Sequence, residues 1–327
     1  MTVIDVHTHM LNRQWLEQLR NHGAPHYEVA KTPDGRDCVR FDGAQFLLPV
    51  AAHYDYAMRL RDMDKVGVDV AIVSLTAPNC YFGSQEVSTT AARLVNDDMA
   101  QGQQAYPDRI RWMASLPWEH PASAVEELRR SYKRGAVGVM VLANINGHSL
   151  TEEAFAPVWR AIDELALPVL VHPTAPPGTQ YLDLGKHNLA GSVGFMFDTS
   201  LAITRMVFDG FFDTYPKLKI IASHAGGTLP YIVGRLDRCH EMDPDRRTKI
   251  ATPPSDYLRR IYYDAVTYRV EALKLCLEVG GADNVMYGSD YPHGIGDMKG
   301  CLARVRALPE GNVKAVSGGN AQRLFKL

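Results

Sequence analysis

The run Val3-Ile4-Asp5-Val6-His7-Thr8-His9 places the tightest constraint on what this chain becomes. Side chains alternate faces along a β-strand, so a strand here puts His7 and His9 on one side, spaced to grip a single ion. Twelve histidines in 327 residues give about half an H-x-H pair by chance alone, so the motif needs company. It finds it where later apolar runs end. Residues 167–171 close on His172, residues 218–223 on His224, and residues 284–289 on Asp290. Metal-ligating and acid/base residues at the carboxyl ends of buried parallel strands are the arrangement of an α/β barrel.

The rest of the chain agrees. Eight strand signals follow one another, at residues 3–9, 69–75, 111–116, 136–140, 167–171, 218–223, 261–264 and 284–289. Helical spacing fills the intervals, as in Met58, Leu60, Met63 and Val66 before Gly67, and no G-x-G-x-x-G follows any strand. This alternation predicts a (β/α)8 TIM-type barrel rather than a dinucleotide-binding sheet. Such barrels, ~250 residues before insertions, reach this length as one unit, so a single domain over 1–327 is expected. Residues 10–53 are too long and irregular for an ordinary strand-to-helix loop. Turn signals at 21–23, 32–35 and Asp42-Gly43 mark one or two small hairpins, read as a cap insertion over the barrel mouth. Residues 318–325 read as a short capped helix at the end.

Composition narrows the function. A net charge of −2, with basic residues no more clustered than Arg129-Arg130 and Lys133-Arg134, offers no attraction for nucleic acid or anionic lipid. Asp5 breaks the N-terminal apolar run, and no stretch approaches the ~20 apolar residues of a membrane span, so a cytoplasmic protein without membrane contact is expected. Five cysteines without C-x-x-C spacing argue against a disulfide framework and a zinc ribbon alike.

Three imidazoles and a carboxylate suit one divalent ion, Zn²⁺ first, with Mn²⁺, Co²⁺ or Fe²⁺ accommodated by the same ligands. The ligands are then His7, His9, His172 and Asp290, with His224 as acid/base beside the open position and Asp290 as a second proton-transfer candidate. The bland alternatives are a core histidine at 172 and an N-cap at Asp290, in Ser289-Asp290-Tyr291-Pro292. His293 is a candidate for lining the pocket. Arg235, two turns down the helix after Gly226-Gly227, is placed either to pair with a neighbouring acid or to reach a substrate carboxylate.

Together His7-Thr-His9, Val-His172-Pro, Ser-His224-Ala-Gly-Gly and Gly-Ser-Asp290-Tyr-Pro resemble the amidohydrolase-related decarboxylases typified by 2-amino-3-carboxymuconate 6-semialdehyde decarboxylase. The resemblance extends through residues 63–69 and 253–257. It implies a metal-dependent barrel, usually a homodimer, that releases CO₂ from unsaturated or aromatic carboxylic acids without an organic cofactor. It assigns metal binding to His7, His9, His172 and Asp290 and catalysis to His224. It implies that the position of Arg235 can hold a substrate carboxylate across the dimer interface. One departure stands out: where the aminocarboxymuconate enzyme has Phe-Arg-Pro-Val, this chain has Phe46-Leu47-Leu48-Pro49-Val50. Losing that substrate-binding arginine points to a less anionic substrate, with Tyr54, Asn79, Tyr81 and Phe82 as candidates for a more aromatic pocket.

The expected function is therefore metal-dependent, non-oxidative decarboxylation of a small carboxylic acid by a homodimer or higher homo-oligomer. The competing reading uses the same parts as a hydrolase, with metal-activated water attacking an amide, a lactone or a ring-cleavage product. A non-catalytic metal- or ligand-binding barrel is the third, and leaves the acid/base residue without a use.

Overall fold

The computed structural model describes residues 1–327 apart from the side chains of Gln180 and Arg246. Its strands in chain order are β1 (Ile4–His9), β2 (Tyr27–Lys31), β3 (Asp37–Phe41), β4 (Ala44–Leu47), β5 (Val70–Ser74), β6 (Ile110–Ser115), β7 (Gly138–Leu142), β8 (Asn144–Ile145), β9 (His148–Ser149), β10 (Pro168–His172), β11 (Lys219–Ala222), β12 (Tyr262–Asp264) and β13 (Val285–Met286). Eight of these form one sheet in the order β1-β5-β6-β7-β10-β11-β12-β13, with every pairing parallel. The Val6 N–H donates to the Tyr287 carbonyl at 3.0 Å and the His9 N–H to the Tyr291 carbonyl at 2.8 Å, bringing β1 against the end of the chain's last strand. Helices cover the outside, and the result is the (β/α)8 barrel that the alternating signals predict.

Fully buried strands explain why the sequence signals were so continuous. β7 and β10 are buried at every position, so both faces select apolar residues and the usual alternation disappears. One contiguous buried cluster runs from Val3 to Phe325. The last strand is shorter than its apolar run: after Met286 the chain leaves strand geometry, and Asp290 has a φ of 59°. The run ends early because the residues that follow Met286 hydrogen-bond to β1 irregularly, with the Ser289 and Asp290 N–H groups both donating to the His7 carbonyl.

Between β1 and β5 the chain first forms a helix, Arg13–His22, where the sequence pattern showed only irregular turns. Three buried side chains, Trp15, Leu16 and Leu19, are too short a period to stand out. The Asn12 side chain caps it by accepting from the Gln14 and Trp15 N–H groups. An antiparallel β2-β3-β4 meander follows. Asp42 and Gly43, at φ 46° and 82°, make the tight turn between β3 and β4 that their residue types announce. Between β10 and β11 the helical stretch comes in two pieces, Phe195–Phe208 and Phe211–Thr214, because Gly210 turns the chain at φ 68°. The C-terminal helix, Asn320–Phe325, is entered from a π-turn at Ala315–Gly319 and has no side-chain cap. Among the described residues no helix is long and apolar enough to cross a membrane.

Candidate metal and active site

His7 and His9 lie on β1, His172 ends β10, His224 follows β11, and Asp290 follows β13, so the barrel brings to one end residues that are far apart in sequence. Donor atoms of His7, His172, His224 and Asp290 lie within 4.8 Å of one another, as do those of His9, Asp290 and His293. The site is buried: His7 and His9 are 0% exposed, His172 3% and Asp290 4%.

The direction of the protons decides what this cluster can hold. His7 Nδ1 faces Asp264 Oδ2 at 2.6 Å, His9 Nδ1 faces the Leu75 carbonyl at 2.9 Å, and His172 Nδ1 faces the Pro173 carbonyl at 2.8 Å. Each acceptor has no proton to give, so each Nδ1 donates, and each neutral ring presents a lone pair on Nε2. Those lone pairs converge. His7 Nε2 and His9 Nε2 are 3.1 Å apart, and Asp290 Oδ1 sits 3.1 Å from His9 Nε2 and 3.4 Å from His7 Nε2. Acceptors packed against acceptors repel unless a cation lies among them, and nitrogen and carboxylate donors of this kind suit a borderline divalent ion. The residues therefore fit a metal.

Ionisation states agree. Burial pulls the His9 imidazole down to about 3, and burial with the neighbouring His9 and His7 rings holds His172 well below the usual histidine range. Burial alone would raise Asp290, but the surrounding histidines, His224 first among them, outweigh it and hold its carboxyl well below the usual range. Neutral imidazoles and an ionised carboxylate are the forms that ligate. His7 is the exception: burial pulls it down, yet the Asp264 carboxylate more than offsets this and raises it.

Asp264, at the end of β12, is the residue that sequence reasoning passed over. Its carboxylate accepts from His7 Nδ1 and from the backbone N–H groups of His224 at 2.9 Å and Ala225 at 3.1 Å. His224 and Ala225 occupy the left-handed region, at φ 53° and 54°, so Asp264 holds this turn and orients His7 with the same group. The available signal was a carboxylate at a barrel strand end, the same signal that singled out Asp290. His224 Nε2 lies 3.6 Å from Asp290 Oδ2, and its Nδ1 is buried without a partner.

The cluster forms the floor of a cavity of about 990 Å³, whose lining includes His172, His224, Asp290 and His293. His293 Nε2 is 3.1 Å from Thr76 Oγ1, and its ring centroid is 4.7 Å from that of His9. The other proposed substrate contacts are not on the cavity wall. Arg13 stacks over the Tyr54 ring at 4.5 Å. The Asn79 side chain donates to Met140 Sδ while its carbonyl accepts from Trp15. The Tyr81 hydroxyl accepts from the Leu142 N–H at 3.5 Å, and Phe82 is 5% exposed within the packing. Arg235 is exposed on the helix Leu229–Met242. Asp290 caps no helix; that role falls to Asp297, which accepts from the Gly300 N–H.

A parallel barrel with a histidine and carboxylate centre at the strand ends defines the class of metal-dependent barrel enzymes. The chain belongs to the amidohydrolase family, whose model it matches over residues 4–327. It is similar to the 2-amino-3-carboxymuconate-6-semialdehyde decarboxylase of Dictyostelium discoideum, with 28% identity covering 99% of this chain and 91% of the relative. It is also similar to the gamma-resorcylate decarboxylase of Polaromonas sp., with 31% identity covering 82% of this chain and 86% of the relative. Among solved structures, the 5-carboxyvanillate decarboxylase of Novosphingobium aromaticivorans, complexed with manganese and 4-hydroxy-3-methoxy-5-nitrobenzoic acid, superposes with a TM-score of 0.85. The two are 26% identical, and the match covers all of this chain and 96% of that one.

Proposed function

We propose that this protein is a metal-dependent carboxy-lyase that removes CO₂ from an aromatic or unsaturated carboxylic acid without oxidation. The observation that carries the reading is the convergence of imidazole lone pairs and the Asp290 carboxylate beside His224, on the floor of a cavity. The similarity to decarboxylases across almost the whole chain supports it.

His7, His9, His172 and Asp290 would hold the ion. Zn²⁺ is the first choice on this donor set, and Mn²⁺, the ion in the solved relative, is the second. When bound, the cation supplies positive charge that draws in the substrate's oxygen atoms and stabilises negative charge as it develops. His224 delivers a proton to the ring carbon that carries the carboxylate. The C–C bond to the carboxylate then breaks, its electron pair restores the conjugated system, and CO₂ leaves. Asp290, whose Oδ2 lies 3.6 Å from His224 Nε2, is the second candidate for moving this proton. Asp264 acts as a positioning residue, fixing the His7 tautomer and the backbone turn that carries His224.

We further infer one barrel unit over 1–327, with residues 10–53 as an insertion over its mouth, and a homodimer or higher homo-oligomer in solution. Tyr231, 86% exposed, and Phe197, 51% exposed, support the assembly as apolar groups that a second copy would cover. Arg235 shares its helix with Tyr231 and would then reach the metal-end carboxylate of a neighbouring subunit's substrate.

The test is CO₂ release from Zn²⁺- and Mn²⁺-loaded protein offered hydroxybenzoic, aminobenzoic and carboxymuconate-type acids, with a chelated control. Release that stops with chelator is the expected result. Silence from metal-replete protein, together with hydrolysis of an amide or lactone, overturns the reading.

A further inference from the structure

The cavity walls differ sharply from its floor. On one side β4 and the segment after it contribute Phe46, Leu48 and Val50; on the other stand Phe195, Met196 and Leu275. The walls touch where the Phe46 and Phe195 rings meet edge to face, with centroids 6.0 Å apart. Beside that contact the wall is built of small residues, Ala190, Gly191 and Ser192, and a Cβ placed on Gly191 would meet nothing within 4 Å. Space there is open.

Positive charge is scarce along these walls. Among the described lining residues Arg36 is the one arginine or lysine. Its Nε is bonded to Asp34 at 2.6 Å, and the side chain is 54% exposed at the rim. Within one chain, a second carboxylate on a substrate would find polar groups on Gln45, His187, Asn188, Ser192 and Thr267, but no lysine and no unpaired arginine. The volume, about 990 Å³, lies at the upper end of the range of roughly 300–1,000 Å³ for sites that enclose a small organic ligand. A single ring at the metal end leaves most of it empty.

We propose that the substrate is an arenecarboxylic acid with one carboxylate and an apolar substituent several carbons long, which lies along the Phe46 and Phe195 walls, beside the contact between the two rings. The inference deepens the decarboxylase reading and rests on it for the position of the carboxylate at the metal end. The substituent supplies binding energy remote from the reacting carbon, by removing its own surface and that of both walls from water.

The experiment measures calorimetric Kd values for Mn²⁺-loaded protein with 2-hydroxybenzoates carrying methyl, propyl or pentyl at position 6, and with 5-carboxy-2-hydroxybenzoate. CO₂ is followed in parallel. Each added methylene should tighten binding roughly three- to fourfold, the effect of burying one such group. The dicarboxylate should bind more weakly than the methyl acid. Phe195→Ala should weaken the pentyl acid about tenfold and the methyl acid little, as expected when only the longer chain reaches that ring. Affinity that does not change with chain length, or a dicarboxylate that binds best, overturns the inference even if CO₂ is released. Chain-length dependence without CO₂ from any acid upholds the apolar site and removes the decarboxylase reading instead.

Discussion

Two buried polar clusters meet on β1 and handle charge in opposite ways. On the outer side Arg59, 0% exposed, donates to Thr8 Oγ1 at 2.5 Å, to the His9 carbonyl and to Met10 Sδ at 3.1 Å, and lies over the Tyr291 ring at 4.8 Å. Its N–H groups point at acceptors. On the inner side His7, His9 and Asp290 set acceptors against acceptors. The outer cluster is complete without a ligand, whereas the inner one makes electrostatic sense around a cation. Burial is equal in both, so burial does not mark the site; the direction of the protons does.

The largest effect should come from Asp290→Asn. It removes the charge that balances an ion and should cost at least about a thousandfold in turnover, or roughly 4 kcal/mol, with metal content falling well below one per chain. Full activity would return Asp290 to a turn-forming role and erase the contrast. His224→Ala should lower turnover about 10²–10⁴-fold, the usual range for losing a general acid, while elemental analysis finds the metal largely retained. Loss of the metal would make His224 a ligand. Asp264→Asn sits between these cases, since it leaves every donor in place but loosens the His7 tautomer. Metal affinity should fall about 10–100-fold, measured by competition with a chelator.

Arg59→Met tests the outer cluster. The Thr8 hydroxyl and His9 carbonyl lose their donor, and stability should drop by about 1–3 kcal/mol in urea unfolding while metal content is unchanged. A collapse in metal content would mean that the two clusters work as one.

The smallest effect concerns Asp198, a buried carboxylate held by neutral donors. It accepts from the Thr174 N–H at 2.9 Å and from Asn144 at 2.9 Å, and burial raises it to about 6. The folded protein keeps this proton to about pH 6, while an aspartate at its ordinary value of 3.8 has released it. Between those values the folded state binds more protons, so the group's contribution to stability declines as pH rises through that window. Asp198→Asn does not titrate. Its stability relative to the unaltered protein, compared at pH 4.5 and pH 8 by urea unfolding, should therefore improve at the higher pH.

Much of this was legible in the chain itself. The barrel could be read because both faces of strands such as β7 and β10 are covered, which writes each strand as an unbroken apolar run. His7 and His9 could be read because a two-residue period puts neighbours of the same parity on one face. Asp264 was visible only as a strand end, since its link to His7 spans 257 residues. The helix Arg13–His22 was hidden by its three buried residues. The sequence offers Tyr54, Asn79, Tyr81 and Phe82 for a pocket because they adjoin the insertion and the second barrel strand. Local packing draws them elsewhere, and the cavity takes its aromatic wall from Phe46 and Phe195.

Sequence by itself thus determined the kind of barrel and the residue types at its strand ends, because periodicity and strand termini are local properties of a chain. Tertiary structure decided which nitrogen of each histidine faces the centre, which carboxylate orients and which one joins the cluster, and which surfaces enclose the substrate. Those depend on hydrogen-bond partners and walls supplied by segments hundreds of residues apart, and only folding brings them together.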